Sequence, residues 1–353
     1  MSVEGETEAR LPAGLLRVAV TAVFERCGMS PDDAGLLADT LVEADLRAVH
    51  SHGLLRVPEY VKKLTADGVN PQGRPHIVRD EGACLVVDGG NSMGQIGAAF
   101  AMEQAIARAV TTGVAAVAVR GSNHCGAMAW FACQTLPHDM IGIATSNALP
   151  TMAPWGSAER ILGINPLAIA IPTDEELPLV YDGAFSMSAH GKIRILQQQG
   201  KPLPEGWALD IEGRPTTDHA AALAGMLAPV GGAKGTALAL MMGILSCHLS
   251  GALYGTELGS LEAGPIPGED SHFMLALRVS AFEEPARFKS RVDAAIREIH
   301  ASRPAEGVDR IYVPGEPEWL RRQEYIRDGV PLTAAVRDGL ETAFARFQVT
   351  CPW

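Results

Sequence analysis

The 353-residue chain lacks the short signatures that assign many proteins to a class at once. Its six cysteines are widely scattered and form no CxxC pair, which is typical of a reduced, cytosolic protein. No GxGxxG lies between a predicted strand and a predicted helix, and GGAKGT at 231–236 is not a Walker loop. These absences argue against a conventional Rossmann or P-loop protein, and a nucleotide would have to bind in another way.

Positive charge and long apolar runs are also scarce. The formal net charge of −12 argues against a protein that binds nucleic acid or anionic membranes. This charge does not exclude a local basic pocket for an anionic substrate. The first ten residues, MSVEGETEAR, do not form a signal peptide, so we expect a cytoplasmic protein. Residues 235–255 are apolar but contain serines, a histidine and four glycines. They predict a buried, small-residue helix rather than a membrane span.

The composition that is present, 47% hydrophobic and 20% charged, is that of a globular protein long enough for two domains. Helical periodicity dominates both ends of the chain, while β-branched apolar runs alternate with helices in the centre. The pattern predicts an α/β (α+β) fold. Residues 1–80 and 285–353 are expected to form a mainly helical substrate and dimerisation domain, and residues 81–284 an α/β cofactor domain. The predicted strands are 83–90, 114–121, 140–147, 167–173, 177–183 and 273–279.

Two histidines lie two positions apart in VHSHGLLRVPEY, residues 49–60. On a helix over 52–66, His52, Arg56 and Tyr60 would share one face, while His50 would point away, which makes a two-histidine metal chelate unfavourable. Pro58 indicates a kink or a later helix start. Histidine and arginine on one face suit a carboxylate substrate, and a solvated surface helix is the structural alternative.

A second polar motif, RGSNHCGAMAWF at 120–131, follows the predicted buried strand VAAVAV. Polar residues at a strand end are a common place for catalytic groups, and His124 can act as an acid or base near neutral pH. Cys125 has no activating partner that the sequence can identify, so a nucleophilic role is discounted. A turn with a hydrogen-bonded histidine is the alternative.

Two further positions suit a nucleotide. Asp182 ends a predicted strand, where a carboxylate could hold a ribose hydroxyl or orient a histidine, or simply cap a turn. Lys234 follows two glycines at the start of a long apolar helix. Free backbone N–H groups, the positive helix end and a lysine make a phosphate cradle, and a glycine-rich loop with a solvated lysine is the alternative.

Taken together and in order, the motifs resemble the type-2 malate/L-lactate dehydrogenase family over about residues 10 to 350. That family also holds ureidoglycolate and sulfolactate dehydrogenases, diketogulonate reductase and piperideine/pyrroline-2-carboxylate reductases. The matching segments are DLRAVHSHGLLRVPEY (45–60), RGSNHCGAMAWF (120–131), GINPLAIAIP (163–172), VYDGAFSMSAHGKI (180–193), LPEGWALDIEGRPTTD (203–218), GGAKGTALAL (231–240) and YVPGEPE (312–318).

The resemblance implies NAD(P)-dependent hydride transfer on a small acid, a non-Rossmann cofactor domain with a mixed, largely antiparallel sheet, and a homodimer. It implies that His124 is the proton donor or acceptor, and that His52, Ser51 and Arg56 hold a carboxylate-bearing substrate. The cofactor, NAD or NADP with NAD favoured, is implied to contact Ser146, Asp182, Gly183, Ala184, Lys234, Gly315 and Glu316.

The motifs leave the substrate open. The main hypothesis is a dehydrogenase of a 2-hydroxy or 2-oxo acid, and an NADPH-dependent reductase of cyclic 2-imino acids is the alternative within the class. Two readings from other classes are a metal-dependent hydrolase that uses His50, His52 and His124, and a non-catalytic binding protein. The chain carries Ala48-Val49-His50 where family members commonly have a glycine and then a short polar or acidic residue, so the role of His50 is open.

Overall fold

The computed structural model describes residues 9–260 and 264–353. Its α-helices are α1 (Ala13–Arg26), α2 (Pro31–Leu46), α3 (Val57–Thr65), α4 (Gly94–Thr112), α5 (Ala129–Cys133), α6 (His190–Gln198), α7 (His219–Ala224), α8 (Ala233–Cys247), α9 (Pro285–Ala301), α10 (Glu316–Asp328) and α11 (Ala334–Phe347). Its strands are β1 (Ala9–Leu11), β2 (His76–Asp80), β3 (Cys84–Asp88), β4 (Val114–Ser122), β5 (Met140–Ser146), β6 (Pro150–Met152), β7 (Leu162–Gly163), β8 (Leu167–Ile171), β9 (Leu179–Gly183), β10 (Ala208–Leu209), β11 (Pro215–Thr216), β12 (Met226–Leu227), β13 (Gly259–Ser260), β14 (Gly264–Pro265), β15 (Asp270–Arg278) and β16 (Val330–Leu332).

A seven-stranded sheet forms the centre of the molecule, in the order β2-β3-β4-β15-β5-β8-β9. Strands β3 and β4 are parallel, and every other neighbouring pair in this sheet is antiparallel. The predicted α/β fold with a mixed, largely antiparallel sheet is therefore confirmed. Strand β15, from late in the chain, lies between β4 and β5; its Met274 and Ala276 side is buried, and its Phe273 and Leu275 side is half-buried.

The helical part is built from both ends of the chain, as predicted. Helix α2 begins where the sequence indicates, because Ser30 caps it by accepting from the Asp33 amide (3.3 Å) and Pro31 occupies its first turn. The core of this part includes Leu16, Phe24, Leu37, Leu41, Tyr60 and Phe344, all fully buried. Strand β2 at 76–80 joins the central sheet, and the domain boundaries themselves stay a prediction.

Helix α8 differs from the expectation for residues 235–255. It ends at Cys247 and lies against β15, β4 and β5, and its buried positions are small residues such as Gly235, Ala239 and Gly243. The prediction of a buried helix is wrong for its other side, where Leu238 and Met241 are 47% and 53% exposed. The reason is that only one side of the helix meets the sheet. Among the described residues, no helix has both the length and the apolar character needed to cross a bilayer.

A smaller sheet, in the order β11-β10-β12-β6-β7, lies beside α8 at β7 and has its own core around Met152, Phe185 and Leu227. Helix α7 ends at Ala224, whereas the alanine pattern predicted a helix over 219–229. The pattern fails because Gly225 stops the helix and Met226–Leu227 pair as β12 with β10 and β6.

Candidate active site

The segment that carries Ser51 and His52 is not α-helical. Residues His50–His52 and Leu54–Arg56 form two short 3₁₀ turns, and α3 begins only at Val57, so the helix predicted over 52–66 starts later. The buried carboxylate of Asp45 fixes these turns, because it accepts from the Leu54 amide (2.7 Å) and pairs with Nδ1 of His50 (2.7 Å). His50 is thereby assigned to holding the loop rather than to a metal.

The structure brings His52 and His124 together. Their rings stack with centroids 5.9 Å apart and an interplanar angle of 14°. His52 comes from the 3₁₀ segment, and His124 follows strand β4, so the helical part and the central sheet meet at this pair. Both residues are half-buried, so each keeps some surface at the boundary with solvent although the surrounding protein encloses the imidazoles.

Two buried side chains hold His124 through a chain of hydrogen bonds. The hydroxyl of Tyr60 lies 2.7 Å from Nδ1 of His124 and accepts from Nε2 of Gln95 at 3.1 Å. Tyr60 and Gln95 are both fully buried. Because one ring nitrogen of His124 is engaged by Tyr60, its other nitrogen, Nε2, is left for a substrate. The sequence placed Tyr60 on the face of His52 and Arg56 but gave no sign of this role for Tyr60 or Gln95.

The electrostatics keep the histidine pair neutral. Burial holds the pKa of His124 well below its usual range, and nearby His52, Arg56, Lys63 and His272 lower it further. Burial, with Arg56, lowers the pKa of His52 to about 4. At neutral pH the free protein therefore presents a neutral imidazole at position 124, which is the state that a proton acceptor needs.

Ser51 and Arg56 lie beside His52. The Ser51 hydroxyl is 3.0 Å from Nδ1 of His52, and Nε of Arg56 donates to the Ser51 carbonyl at 2.8 Å. The outer end of the Arg56 guanidinium forms an ion pair with Glu59. Both partners are partly exposed, so a substrate carboxylate can compete with Glu59 for Arg56 at modest cost.

Ser146 is engaged by a third histidine, which the sequence did not indicate. Nδ1 of His272 lies 2.9 Å from the Ser146 hydroxyl, and Nε2 lies 2.8 Å from the Ser122 hydroxyl. Burial lowers the pKa of His272 to about 4, so it links β4 and β5 as a neutral group. Cys125 is also buried here, and burial raises the pKa of its thiol, which agrees with discounting it as a nucleophile.

Asp182, Gly183 and Ala184 lie at the end of β9. The Ala129 amide donates to Asp182 at 2.7 Å, and its carboxylate still reaches solvent. The surrounding protein nevertheless desolvates this group and raises its pKa to about 6. A carboxylate that is enclosed yet accessible is suited to accept hydrogen bonds from ligand hydroxyls.

Gly315 and Glu316 lie next to this strand, because the Val180 amide donates to the Pro314 carbonyl at 3.0 Å. Gly315 has a φ of +84°, and a Cβ at this position would lie only 2.6 Å from the carbonyl oxygen of Val180. Only glycine therefore fits at this position. The Glu316 carboxylate is directed inward, where it contacts His300 (2.8 Å) and Arg310. The 315–316 turn therefore offers its backbone, rather than the Glu316 side chain, to a ligand.

Lys234 lies exposed in the first turn of α8, directly after Gly231 and Gly232, which both have positive φ. Among the described residues, the buried amide nitrogen Nδ2 of Asn147 and hydroxyl of Ser188 have no hydrogen-bond partner. A cation at a helix N-terminus and an accessible carboxylate are groups of the kind that can hold the phosphates and a ribose of a dinucleotide.

A metal centre is not supported by the side-chain positions. His50 is bonded to Asp45, and the rings of His52 and His124 stack face to face instead of converging on a point. Within residues 9–260 and 264–353, no group of three or more histidine, cysteine, aspartate or glutamate side chains is arranged to hold a metal ion.

The fold and the site define a nicotinamide-dependent dehydrogenase or reductase outside the Rossmann class. The family described as malate/L-lactate dehydrogenase matches residues 12–341, and the chain belongs to this family. The malate dehydrogenase of Pyrococcus abyssi is 34% identical over 352 residues, which cover 98% of this chain and 96% of that protein.

Two solved structures are similar over almost the whole chain. Sulfolactate dehydrogenase from Methanocaldococcus jannaschii has a TM-score of 0.90 and 34% identity, covering 97% of this chain and 98% of that one. The Δ1-piperideine-2-carboxylate reductase of Pseudomonas syringae pvar. tomato has a TM-score of 0.83 and 27% identity, covering 95% and 99%. Among further relatives, one is named for NAD⁺ and another for NADP⁺, so the family includes both cofactors.

Proposed function

We propose that the protein transfers a hydride between NAD(P) and C2 of a small 2-hydroxy or 2-oxo acid. The observation that carries this proposal is the His124 site: an accessible imidazole, held at Nδ1 by buried Tyr60 (2.7 Å) and stacked on His52 beside Arg56. Such a site can exchange one proton with a substrate oxygen while an arginine holds the carboxylate.

His124 manages the proton. In oxidation, neutral His124 takes the hydroxyl proton through Nε2, and the low pKa of this imidazole means that it is already in the right form at neutral pH. In reduction the same nitrogen returns a proton to the oxygen at C2. The nicotinamide, when bound, supplies or accepts the hydride.

Arg56, His52 and Ser51 position the acid. In this proposal Arg56 exchanges Glu59 for the C1 carboxylate, and the accessible edge of His52 and the hydroxyl of Ser51 hydrogen-bond near the reacting carbon. The support is their arrangement: the Ser51 backbone holds Nε of Arg56, so the guanidinium has a fixed direction before substrate arrives.

In this proposal the phosphates of the cofactor bind at the start of α8, beside Lys234. A ribose binds at Asp182, where it is surrounded by Gly183, Ala184 and the backbone of Gly315–Glu316. NAD is favoured, since an anionic Asp182 beside the adenosine ribose would repel the extra phosphate of NADP. Ser146 acts through His272, because its hydroxyl is bonded to that ring.

We further propose a cytoplasmic homodimer that buries the exposed side of α8. Leu238, Met241 and Ile244 recur at helical spacing on that side and are all exposed in the single chain. An apolar patch of this kind marks an interaction surface. All six cysteines are free, which suits a reducing compartment.

The experiment combines cofactor binding with a substrate panel. NADH and NADPH binding is followed by nicotinamide fluorescence, and turnover by absorbance with pyruvate, oxaloacetate, 2-oxoglutarate and piperideine-2-carboxylate. The last substrate tests the cyclic-imine alternative, which the likeness to the Pseudomonas syringae reductase favours. Turnover of the imine alone would replace the 2-oxo acid assignment.

Two variants test the residue roles. His124→Ala should lower kcat roughly 10²–10⁴-fold. Arg56→Ala should mainly raise KM, because the arginine binds the carboxylate in ground and transition states alike. Wild-type turnover in His124→Ala would refute the proton role. Loss of activity to chelators without any nicotinamide binding would instead support a metal-dependent hydrolase.

A further inference from the structure

The side-chain amide of Gln95 is buried next to the proton-transfer histidine, and only one end of it is hydrogen-bonded. Gln95 is fully buried in the first turn of α4, and its Nε2 donates to the Tyr60 hydroxyl at 3.1 Å. Its Oε1 is also buried and, among the described residues, has no hydrogen-bond partner. A buried acceptor without a donor is costly, so the free end of this amide needs an explanation.

The start of α4 fixes where this amide lies relative to His124. A Cβ at Gly94, the residue before Gln95, would overlap the carbonyl oxygen of Asn123 and the carbonyl group of His124. The helix therefore begins directly against the backbone of the proton-transfer residue. On the other side of His124, a Cβ at Gly126 would lie 3.4 Å from Nε2 of Gln95. The amide is thus held between two backbone segments that both adjoin His124.

The hydrogen bonds of the Tyr60 hydroxyl have defined directions. In the described part of the chain this oxygen contacts two groups, Nε2 of Gln95 (3.1 Å) and Nδ1 of His124 (2.7 Å). Because it accepts from the amide, its own proton points to Nδ1, and Nδ1 is then unprotonated. A neutral imidazole with an unprotonated Nδ1 carries its proton on Nε2. In this arrangement His124 offers the substrate a donor and not an acceptor.

Oxidation of a hydroxyl needs the opposite tautomer. A neutral charge alone does not make His124 a base, because Nε2 can take a proton only when the ring proton is on Nδ1. Nδ1–H then donates to the Tyr60 oxygen, and the Tyr60 proton loses its acceptor. Oε1 of Gln95 is a spare acceptor beside it. A half-turn of the amide exchanges Oε1 with Nε2 in nearly the same positions, since the two ends have almost the same shape.

We propose that Gln95 is a positioning residue that sets the tautomer of His124 by turning its amide. With Nε2 toward Tyr60, the proton of His124 is on Nε2, and the ring cannot accept one from a hydroxyl. With Oε1 toward Tyr60, the ring proton is on Nδ1. Nε2 then takes the proton of the substrate hydroxyl while the hydride leaves C2 for the nicotinamide. The imidazolium that results keeps two hydrogen bonds, from Nδ1–H to Tyr60 and from the Tyr60 hydroxyl to Gln95. This inference rests on the proposed function and adds how its base is prepared.

Two substitutions at Gln95 separate the donor from the acceptor. Gln95→Met removes both at similar side-chain length, and it should lower kcat for oxidation about tenfold, because the Tyr60 proton is unpaired whenever Nδ1 is protonated. Gln95→Glu keeps the acceptor and favours a protonated Nδ1, so the acid limb of the pH profile of kcat/KM should move to higher pH. Gln104→Met, the same change at a half-buried position of α4, is the matched control and should alter neither quantity.

Nitrogen NMR of protein with labelled histidines reads the tautomer itself. The signals of His124 are identified by their loss in His124→Gln, and in the free wild type they should show a proton on Nε2. A 2-hydroxy acid added to the NADH complex, where no hydride can be transferred, should move this proton to Nδ1. Gln95→Met should prevent that move. An unchanged tautomer in the wild-type complex would overturn the proposal, as would a Gln95→Met variant with the kcat and the tautomers of the wild type.

Failure of the proposed function gives a different result. If NADH binds but no 2-hydroxy or 2-oxo acid reacts, that function fails, and the free protein still tests Gln95. Without substrate, His124 should carry its proton on Nε2 in the wild type and on Nδ1 in Gln95→Glu, because an ionised carboxylate can only accept from Tyr60. Equal tautomers in these two proteins would overturn the inference, and this comparison does not depend on whether Gln95→Met folds.

Discussion

Removing the hydroxyl of Tyr60 isolates the contact that holds the proton-transfer histidine. In Tyr60→Phe the ring still fills its fully buried position, so no cavity larger than a hydroxyl opens. Two buried atoms lose their partner, Nδ1 of His124 (2.7 Å) and Nε2 of Gln95 (3.1 Å). Each buried polar group left unpaired costs about 1–3 kcal/mol, and the His124 ring can recover part of that cost by turning toward the accessible side.

We therefore expect the free energy of unfolding to fall by about 2 kcal/mol. We expect kcat to fall about 10–100-fold, which corresponds to about 1.4–2.7 kcal/mol of transition-state stabilisation. The effect should appear in kcat more than in KM, since Tyr60 orients His124 and does not bind the carboxylate. Steady-state assays in both directions and thermal unfolding measure the two quantities.

A double-mutant cycle shows whether Tyr60 acts through His124. In a His124→Ala background, Tyr60→Phe should cause no further loss of kcat, because the group that it orients is absent. Tyr254→Phe is the control, since the Tyr254 hydroxyl is buried without a hydrogen-bond partner among the described residues. Independent, multiplying effects of Tyr60→Phe and His124→Ala would refute the reasoning, as would a wild-type kcat in Tyr60→Phe.

Three further outcomes follow from the geometry. The pKa of Asp182 is raised to about 6, so its carboxylate becomes protonated as the pH falls through 6. Cofactor binding, followed by fluorescence titration, should therefore be about tenfold weaker at pH 5 than at pH 7. Asp182→Asn should show no such change. A pH-independent wild type would contradict this. Met241→Asp should convert the proposed dimer into a monomer by light scattering, and an unchanged mass would exclude the α8 face. Gly53→Ala should raise KM at least about tenfold and lower Tm, because the Cβ of the new alanine would overlap the Asp45 carboxylate. Normal kinetics would show that the loop around Gly53 can relax.

Local signals predicted much of the fold. Ser30 and Pro31 fix the start of α2, and the β-branched run 114–121 becomes β4, because caps and side-chain periodicity act within a few residues. The insertion of β15 between β4 and β5 could not be predicted, since it pairs residues such as Phe273 with Ala118 and Thr145. Two-residue strands such as β12 are too short to leave a pattern.

The sequence predicted which residues belong to the candidate site, which stays a prediction, and it did not indicate the side chains that hold them. His52, Arg56 and His124 stand out because polar residues interrupt apolar segments. Their support comes from distant positions: Gln95 is hidden in the alanine-rich helix α4, and His272 stands one residue before the apolar run that marked β15. Lys63 reads as an ordinary surface lysine next to Lys62, and only the packing of α3 separates the two.

The charges around His124 explain how an acidic protein accommodates an acid. The chain carries a net charge of −12, yet the groups that lower the pKa of His124 include the cations Arg56 and Lys63, while His52 and His124 stay neutral at pH 7. A substrate anion is therefore balanced by these two cations and not by the histidines. One cation is sufficient for the carboxylate that every 2-hydroxy acid has. Arg56 is the more accessible of the two, since its side chain is 34% exposed and already pairs with the carboxylate of Glu59, whereas Lys63 is only 5% exposed, so Arg56 is the cation that a substrate carboxylate can reach.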